Sequence, residues 1–483
     1  MQKKLLSGLF WVLLLNLLIK PFWLLGIEVG VQNAVGEAEY GLYFTLFNLA
    51  YIFNILLDLG VTNFNTRNIA RHPQLIGKHL PGILSVKLLL VAFYAVATFT
   101  TGLLLGYGSR QFYLLAFLSF NQFLSSMILY LRSNFEGLLL FKWDSVVSIL
   151  DRVLMIAICG ALLWLPRHPG FRIEYFVYAQ TAAYLVTALT AFFVLIGKTG
   201  FRRLRFNAPF TMAILKQSAP FALLVLLMAS YNRIDPVLLQ RLSPAGMGNY
   251  NAGIYASAFR LLDALTMIAY LVSVPLLPIY SKLTKEGGDD LAPTTRMVTS
   301  LMLVFSISAA VTFACMDEIL MGLLYHEHAA ASAAVFRILI YGIVPISLTY
   351  VFGTLLTAGG QLRQLNILAA TALVLNIGIN LFCIPRWGAV GSAWASLIAQ
   401  SFMALAQVVV ALRLFHLRPT GGYILRMVLF TLLIIGCNTA TPLPYAWWLR
   451  LTVVGTIALL AAIFLRLIDI NEIKNILKNQ EQY

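Results

Sequence analysis

The chain has 483 residues, 60% of them hydrophobic and only 11% charged, and its 34 Lys and Arg against 19 Asp and Glu give a net charge of +15. A soluble domain is about a quarter charged, so this composition excludes a soluble enzyme, a disulfide-stapled secreted domain and a disordered chain. The apolar residues come in runs of about 20, the length of a bilayer-spanning helix, and the sequence reads as an all-α polytopic membrane protein.

The runs predict about fourteen membrane helices. Met1-Gln2-Lys3-Lys4 and the apolar stretch to Gly26 contain no small-residue cleavage site, so they read as an uncleaved first helix. The first six helices are expected near 5–30, 40–66, 80–106, 111–138, 145–166 and 174–197. A basic stretch follows, with Lys198, Arg202, Arg203, Arg205 and Lys216. Six more are expected near 217–241, 247–280, 294–324, 331–358, 362–384 and 388–413, then two additional ones near 421–440 and 446–467. The expected organisation is an N-terminal lobe over 1–200, a C-terminal lobe over 201–416, two extra helices over 417–468 and a polar tail over 469–483.

Lys and Arg concentrate in cytoplasmic loops of membrane proteins. Lys3, Lys4, Arg67, Arg71, Lys78, Lys142, the 198–216 cluster, Lys282, Lys285, Arg363, Arg413, Arg418 and the tail lysines fall on one side. Only Arg110, Arg167, Arg172, Arg241, Arg386 and Arg450 fall on the other. Both termini are therefore expected in the cytoplasm. The positive charge is a sorting signal, which removes the argument for a nucleic-acid partner. Cys159, Cys315, Cys383 and Cys437 lie far apart inside apolar runs and form no metal or redox motif.

The second helix of each half opens alike: Gly36-Glu37-Ala38-Glu39-Tyr40-Gly41-Leu42-Tyr43 answers Gly246-Met247-Gly248-Asn249-Tyr250-Asn251-Ala252-Gly253-Ile254-Tyr255. With equal helix counts on each side, this predicts two pseudo-symmetric six-helix lobes related by an axis along the membrane normal.

Charges inside the membrane cost about 2.5–3.5 kcal/mol each on insertion scales and normally face a cavity or one another. The candidates are Lys20, Asp58, Lys87, Arg132, Asp151, Arg152, Arg233, Asp235, Arg260 and Asp263. Asp151 with Arg152, Arg233 with Asp235, and Arg260 with Asp263 are near enough in sequence to pair, and Asp58 and Arg67 read as further gating or pairing charges. Lys87 and Arg152 lie near helix ends, where snorkelling explains them. Lys20, Arg233 and Arg260 lie deeper and read as cavity groups. A cationic cavity implies an anionic cargo, because a guanidinium stays charged when desolvated and grips phosphate in bidentate fashion.

Asn376 and Asn380 sit one turn apart, with Ser392 and Ser396 on the next helix. Together with Asp235 they offer oxygen ligands for a hard cation. Hydrogen bonding between helices accounts for the same residues, and that reading stands beside the first. Enzyme readings fare badly. Glu37-x-Glu39 resembles the acidic motif of a lipid-linked glycosyltransferase but lacks the large outer domain such enzymes need. His326-Glu327-His328 is one short solvated loop, and no phosphate-binding loop for ATP exists.

Three segments carry a family resemblance. The first runs from Gly36-Glu37-x-Glu39-Tyr40-Gly41-x-Tyr43 through Leu57-Asp58-Leu59-Gly60-Val61 to Arg67-Asn68-Ile69-Ala70. The second is Ile234-Asp235-Pro236-Val237-Leu238-Leu239, followed by Gly248-x-Tyr250, Tyr255-x-x-Ala258-x-Arg260 and Pro275-x-x-Pro278. The third is Asn376-x-x-x-Asn380-Leu381-x-x-Ile384-Pro385-x-x-Gly388-x-x-Gly391-Ser392-Ala393-x-Ala395. In order and spacing they resemble the Wzx-type polysaccharide flippases of the multidrug/oligosaccharidyl-lipid/polysaccharide (MOP) exporter superfamily.

That resemblance implies alternating access and an undecaprenyl-pyrophosphate-linked oligosaccharide as cargo, moved to the periplasmic leaflet of a bacterial inner membrane. It places Arg260 where relatives have a lumen arginine; with the cavity cations Lys20, Arg132 and Arg233, this residue is expected to hold the pyrophosphate, and membrane lipids and other polysaccharide-assembly proteins are the expected partners. No cofactor is expected beyond a coupling Na⁺ or H⁺ at Asp235, Asn376, Asn380, Ser392 and Ser396, of which the resemblance sets Asp235, Asn376 and Asn380 near the sodium ligands of some lipid II flippases. Asn380 replaces an Asp frequent in related lipid II flippases, which weakens the expectation of Na⁺. The alternative is an ion-coupled exporter of small amphipathic molecules, and behind it a membrane glycosyltransferase or polymerase.

Overall fold

The computed structural model describes residues 19, 21–62, 65, 66, 69, 76–138, 140–164, 170–199, 208–286, 290–417, 421–440 and 447–468, and every regular element among them is helical. The chain forms two compact units, Met1–Ala256 and Ser257–Tyr483.

The first unit begins with a π-helical turn, Trp23–Glu28, continuous with α1 (Val29–Val35). Then come α2 (Glu37–Ile52), running into a 3₁₀ turn at Phe53–Leu57, and α3 (Ile76–Leu104). The long helices α4 (Ser109–Gly137), α5 (Phe141–Trp164) and α6 (Ile173–Thr199) follow. Next are α7 (Ala208–Arg233), α8 (Asp235–Leu242) and α9 (Gly248–Ser273), and the unit boundary falls inside α9. Val61, Ile83, Val86, Leu90, Leu124, Tyr130, Phe135 and Val147 build its core.

Gly36 and Gly246 precede α2 and α9 with φ of 79° and 82°, a left-handed conformation that favours glycine. The paired sequence openings therefore share a backbone turn. The two helices touch backbone to backbone. A Cβ on Gly41 would collide with the Asn249 carbonyl and the Gly253 nitrogen, and one on Gly253 with the Glu37 carbonyl. Small residues permit this approach in membranes, where packing substitutes for the hydrophobic effect. Gln32 Nε2 donates to the Gly253 carbonyl at 3.1 Å, and Thr45 Oγ1 to the Pro236 carbonyl at 3.2 Å.

The second unit holds the rest of α9, α10 (Leu276–Glu286), α11 (Leu291–Ala314) and α12 (Asp317–Leu324). It continues with α13 (Ala329–Leu339), a 3₁₀ turn at Ile340–Gly342, α14 (Ile343–Ala358) and α15 (Leu362–Leu414). The last helices, α16 (Gly421–Ala440) and α17 (Trp447–Phe464), dock on α11 through Val304, Val311, Phe430, Ile434, Val454 and Ala458.

Among the described residues eleven helices are long and apolar enough to cross a membrane, or twelve with the bent pair Ala219–Arg233 and Asp235–Leu242. The outward faces agree: Leu104 is 84% exposed, Val374 71% and Phe464 87%, an apolar surface only lipid would cover. The difference from the expected fourteen has two sources. The first expected helix lies largely outside the described residues. The expected spans 362–384 and 388–413 form the single 53-residue α15, broken at Gly388 with φ 53° and ψ −131°. Fifty-three residues would reach about 80 Å as a straight helix, against about 30 Å of hydrocarbon. The break folds the chain sharply, since a Cβ on Gly391 would lie 2.5 Å from the Cys383 carbonyl eight residues back.

The span expected over 294–324 also divides, into α11 and α12 around Cys315-Met316. Between α7 and α8 the axis bends by 47°. Pro236 has no N–H to donate back to Asn232, so the ladder fails there and restarts at Asp235.

Candidate functional site

In the first unit the intramembrane charges are engaged with particular partners. Lys87, on α3, is 1% exposed and does not snorkel, contrary to expectation. Its Nζ donates to Asp58 Oδ1 at 2.9 Å, Ser126 Oγ at 2.9 Å, the Leu57 carbonyl at 3.2 Å and the Ser126 carbonyl at 3.3 Å. It also lies 5.6 Å from the Tyr130 ring centroid. The backbone explains why a cation is needed. After the 3₁₀ turn, Leu59 and Gly60 take φ of 43° and 81°, so the helical ladder stops and the Leu57 carbonyl is taken up by side-chain donors, Lys87 Nζ and Ser126 Oγ. Asp58 accepts from the Thr62 N–H at 3.3 Å and from its hydroxyl, capping the segment that follows.

Arg132 on α4 forms a two-point pair with Asp144 of α5, Nε to Oδ1 at 2.7 Å and Nη2 to Oδ2 at 3.2 Å. Asp151 and Arg152 pair at 3.7 Å, and the Arg152 guanidinium lies 5.6 Å over the Trp23 ring. The Arg233 guanidinium lies 5.2 Å from the Tyr51 ring centroid. Asp235 opens α8, where the helix N-terminus favours a carboxylate; it is fully buried and accepts from Tyr255 Oη at 2.8 Å. Lys20 and Arg67 lie outside the described residues.

In the second unit Arg260, 5% exposed on α9, donates through Nη1 to Tyr325 Oη at 2.6 Å and lies 5.9 Å from the same ring. Tyr325 Oη also reaches the Ser257 carbonyl at 3.5 Å. Asp263, one turn further along α9, is half-buried. Asn376, Asn380, Ser392 and Ser396 are all fully buried on the two arms of α15. Asn380 Nδ2 donates to the Asn376 carbonyl and to Asn376 Oδ1, both at 3.0 Å, and Gln400 Nε2 donates to Ser396 Oγ at 3.2 Å. The expected cation-ligand residues are thus divided, Asp235 in the first unit and the other four in the second.

Several polar groups escaped the sequence reading. Arg110 bridges Glu39 at 2.9 Å and Glu174 at 2.9 Å, tying α2, α4 and α6 beside a cleft of about 490 Å³ lined also by Phe171 and Arg172. Just before α4, burial holds the Tyr107 phenol protonated, with a pKa pushed up to about 12 although Arg241 pulls it down. Arg450 of α17 donates to the Cys315 carbonyl at 3.3 Å and the Asn438 carbonyl at 2.5 Å, capping α11 and α16 together. Asp144 and Tyr325 carried no signal, because neither belongs to a spacing motif with its arginine. Gln400 and Gln407 did carry one, since they continue the face of Ser392 and Ser396.

The family model described as polysaccharide biosynthesis protein matches residues 5–284. An uncharacterized membrane protein of Methanocaldococcus jannaschii is 24% identical over 405 residues, covering 79% of this chain and 91% of its own. The solved lipid II flippase MurJ, in an inward closed conformation, superposes with a TM-score of 0.62 at 15% identity, covering 94% of this chain and 99% of its own. An inward-facing multidrug resistance MATE family transporter of the MOP superfamily gives 0.62 at 15% identity, covering 81% and 94%. A MOP superfamily transporter from Pyrococcus furiosus gives 0.58 at 15% identity, covering 85% and 94%. These neighbours are transporters or flippases rather than enzymes, and at such identities the likeness is one of fold. The chain is a multi-pass membrane protein with the fold of the MOP-superfamily transporters, and with more than half of its length matched it belongs to the polysaccharide biosynthesis protein family.

Proposed function

We propose that the protein flips a polyprenyl-pyrophosphate-linked oligosaccharide by alternating access in a bacterial cytoplasmic membrane, both termini facing the cytoplasm. The observation that carries this reading is Arg260, a guanidinium kept 5% exposed inside a membrane span and held by a phenol. A phosphate oxygen competes well for such a guanidinium, because it is an ionised acceptor and can be gripped at two points, which a phenol cannot. Arg233, half-buried with its guanidinium 5.2 Å from the Tyr51 ring centroid, is the second cation of this reading. Arg132 contributes only if its two-point pair with Asp144 opens. The sugar occupies the chamber, and the polyprenyl chain stays among lipids outside it.

Resetting of the empty carrier draws on an ion gradient, with Na⁺ or H⁺ acting through Asp235, Asn376, Asn380, Ser392 and Ser396. The MATE-like fold, at the same TM-score as the flippase, gives the second reading, an ion-coupled exporter of small amphipathic molecules. A leaflet assay separates them. Proteoliposomes carrying an undecaprenyl-pyrophosphate oligosaccharide are probed with a lectin, with and without an imposed Na⁺ or H⁺ gradient. Protein-dependent sugar exposure supports flipping, and its gradient dependence supports the coupling residues. A well-folded sample that exposes no sugar but clears an amphipathic dye favours the exporter.

A further inference from the structure

The cleft of about 490 Å³ in the first unit has no part in the pyrophosphate or ion readings, and four helix ends build it. Ala34 lies near the end of α1, Glu39 opens α2, Arg110 opens α4, and Phe171, Arg172 and Glu174 lead into α6. Its volume falls within the range of about 300–1,000 Å³ usual for small-ligand sites. One turn further along α4 and α6, Tyr113 and Tyr178 are exposed and share a hydroxyl bond at 2.6 Å. Tyrosine gathers at the membrane–water boundary, which puts the cleft just beyond the headgroups, on the outer face in the topology above.

The charges in the cleft cancel, Glu39 and Glu174 against Arg110 and Arg172, yet their bonding is incomplete. Arg110 has five N–H groups and uses four. Nε and Nη2 donate to Glu174 Oε1 at 3.1 and 2.9 Å, Nη1 to Glu39 Oε1 at 2.9 Å, and Nη2 to Glu39 Oε2. One donor on Nη1 is left over, and each Glu39 oxygen has room for a second bond. Glu174 Oε2 accepts no hydrogen bond among the described residues, since Arg172 Nε at 3.6 Å stands too far to supply one. The Arg172 side chain is 67% exposed, so it can turn away from that oxygen. Beside the charges, the Phe171 ring is half-buried and braced edge-on by Tyr175 at 6.4 Å.

We propose that this cleft binds a sugar unit of the cargo glycan, with Glu39, Glu174 and Arg110 meeting ring hydroxyls and Phe171 meeting the apolar face of the ring. The inference rests on the flipping reading above and adds a landing site on the outer face. A spare donor beside spare acceptors suits hydroxyls, each of which gives one proton and accepts through two lone pairs. With no net charge the cleft exerts little pull on a free phosphate, and its two carboxylates oppose one. The aromatic wall supplies the apolar contact that a sugar's C–H face makes. Exposed ion pairs add little to stability, and tying helix ends calls for neither an aromatic wall nor an open cleft. A zwitterionic lipid headgroup is the competing occupant.

The test uses the full-length protein in phosphatidylcholine nanodiscs, which leave both faces open. Photoreactive benzoylphenylalanine replaces exposed Ala34 in the cleft or, as a control outside it, exposed Trp164 at the end of α5. The probe is the radiolabelled oligosaccharide released by mild acid from the undecaprenyl-pyrophosphate cargo of the leaflet assay. Saturable labelling is expected at position 34, several-fold above position 164 and competed by unlabelled glycan. Phe171→Leu and Glu174→Gln should lower it several-fold, whereas Phe171→Tyr, which keeps the ring, should preserve it; each variant is checked by size exclusion. Label at 34 no higher than at 164, or unchanged by both Phe171→Leu and Glu174→Gln, overturns the site. Labelling abolished in nanodiscs enriched in phosphatidylethanolamine also overturns it, giving the cleft to a zwitterionic headgroup. Glycan labelling without leaflet exposure keeps the site and removes flipping. Leaflet exposure without glycan labelling removes the site and keeps flipping.

Discussion

Lys87→Met removes a buried ammonium and keeps its volume, so the loss it causes is electrostatic. In the native protein Nζ serves four oxygens, from Leu57, Asp58 and Ser126. The substitution leaves the Asp58 carboxylate without its counter-charge, and breaking one side of a buried ion pair costs about 3–5 kcal/mol. Two features place this case at the lower end. Asp58 is 24% exposed, so water reaches it, and it keeps the Thr62 N–H and hydroxyl. The Leu57 carbonyl still accepts from Ser126 Oγ at 3.3 Å. A loss of about 3 kcal/mol is expected, read as a fall of several degrees in the midpoint at which a detergent-solubilised fluorescent fusion loses its monodisperse peak. Adding Asp58→Asn to Lys87→Met removes the stranded carboxylate, so the double variant should be more stable than Lys87→Met alone. The reasoning fails if Lys87→Met melts with wild type, or if the second substitution makes it worse by the full cost of Asp58→Asn on its own.

Arg260→Ala should abolish cargo exposure in the leaflet assay while membrane insertion stays intact, whereas Tyr325→Phe, which removes the 2.6 Å bond, should reduce it only in part. Gly253→Val forces a side chain into the Glu37 backbone and should separate α2 from α9, seen as loss of a cross-link engineered between positions 37 and 249. Unchanged cross-linking would refute the backbone contact. Arg450→Met strips two helix ends of their shared cap and should lower the melting midpoint, with a loss of about 1–3 kcal/mol expected for the two charge-assisted bonds. Limited proteolysis should then cut the connection between α16 and α17 faster than in wild type.

Hydropathy made the spans legible because a bilayer demands about 20 apolar residues whatever the fold. Interruptions inside the spans were less visible. Pro236 announces the bend between α7 and α8, since its missing N–H is written in the residue type. The break at Leu59-Gly60 is not so written: Leu rarely adopts φ 43°, and the Lys87 and Asp58 bonds that stabilise the broken segment come from tertiary structure. The pair Asp151 and Arg152 is adjacent in sequence and meets at 3.7 Å. Arg132 finds Asp144 twelve residues away on another helix, a partnership no helical spacing encodes.

Under the proposed flipping of a pyrophosphate-linked cargo, the bonds of Arg132 and Arg260 bear on how each would meet the phosphate. A guanidinium locked by a carboxylate, as in Arg132–Asp144, is already neutralised, so an incoming pyrophosphate must first displace a charge. On that reading Arg260 would give its bond to Tyr325 Oη over to an ionised phosphate oxygen, the stronger acceptor, with the Tyr325 ring still 5.9 Å away. If cargo release depends on the reverse exchange, the phenol must be strong enough to reclaim the arginine when the phosphate leaves. Tyr325→Phe then slows return of the empty carrier more than cargo binding. A single-turnover exposure that stays normal while repeated turnover falls would separate that role from a simple loss of affinity.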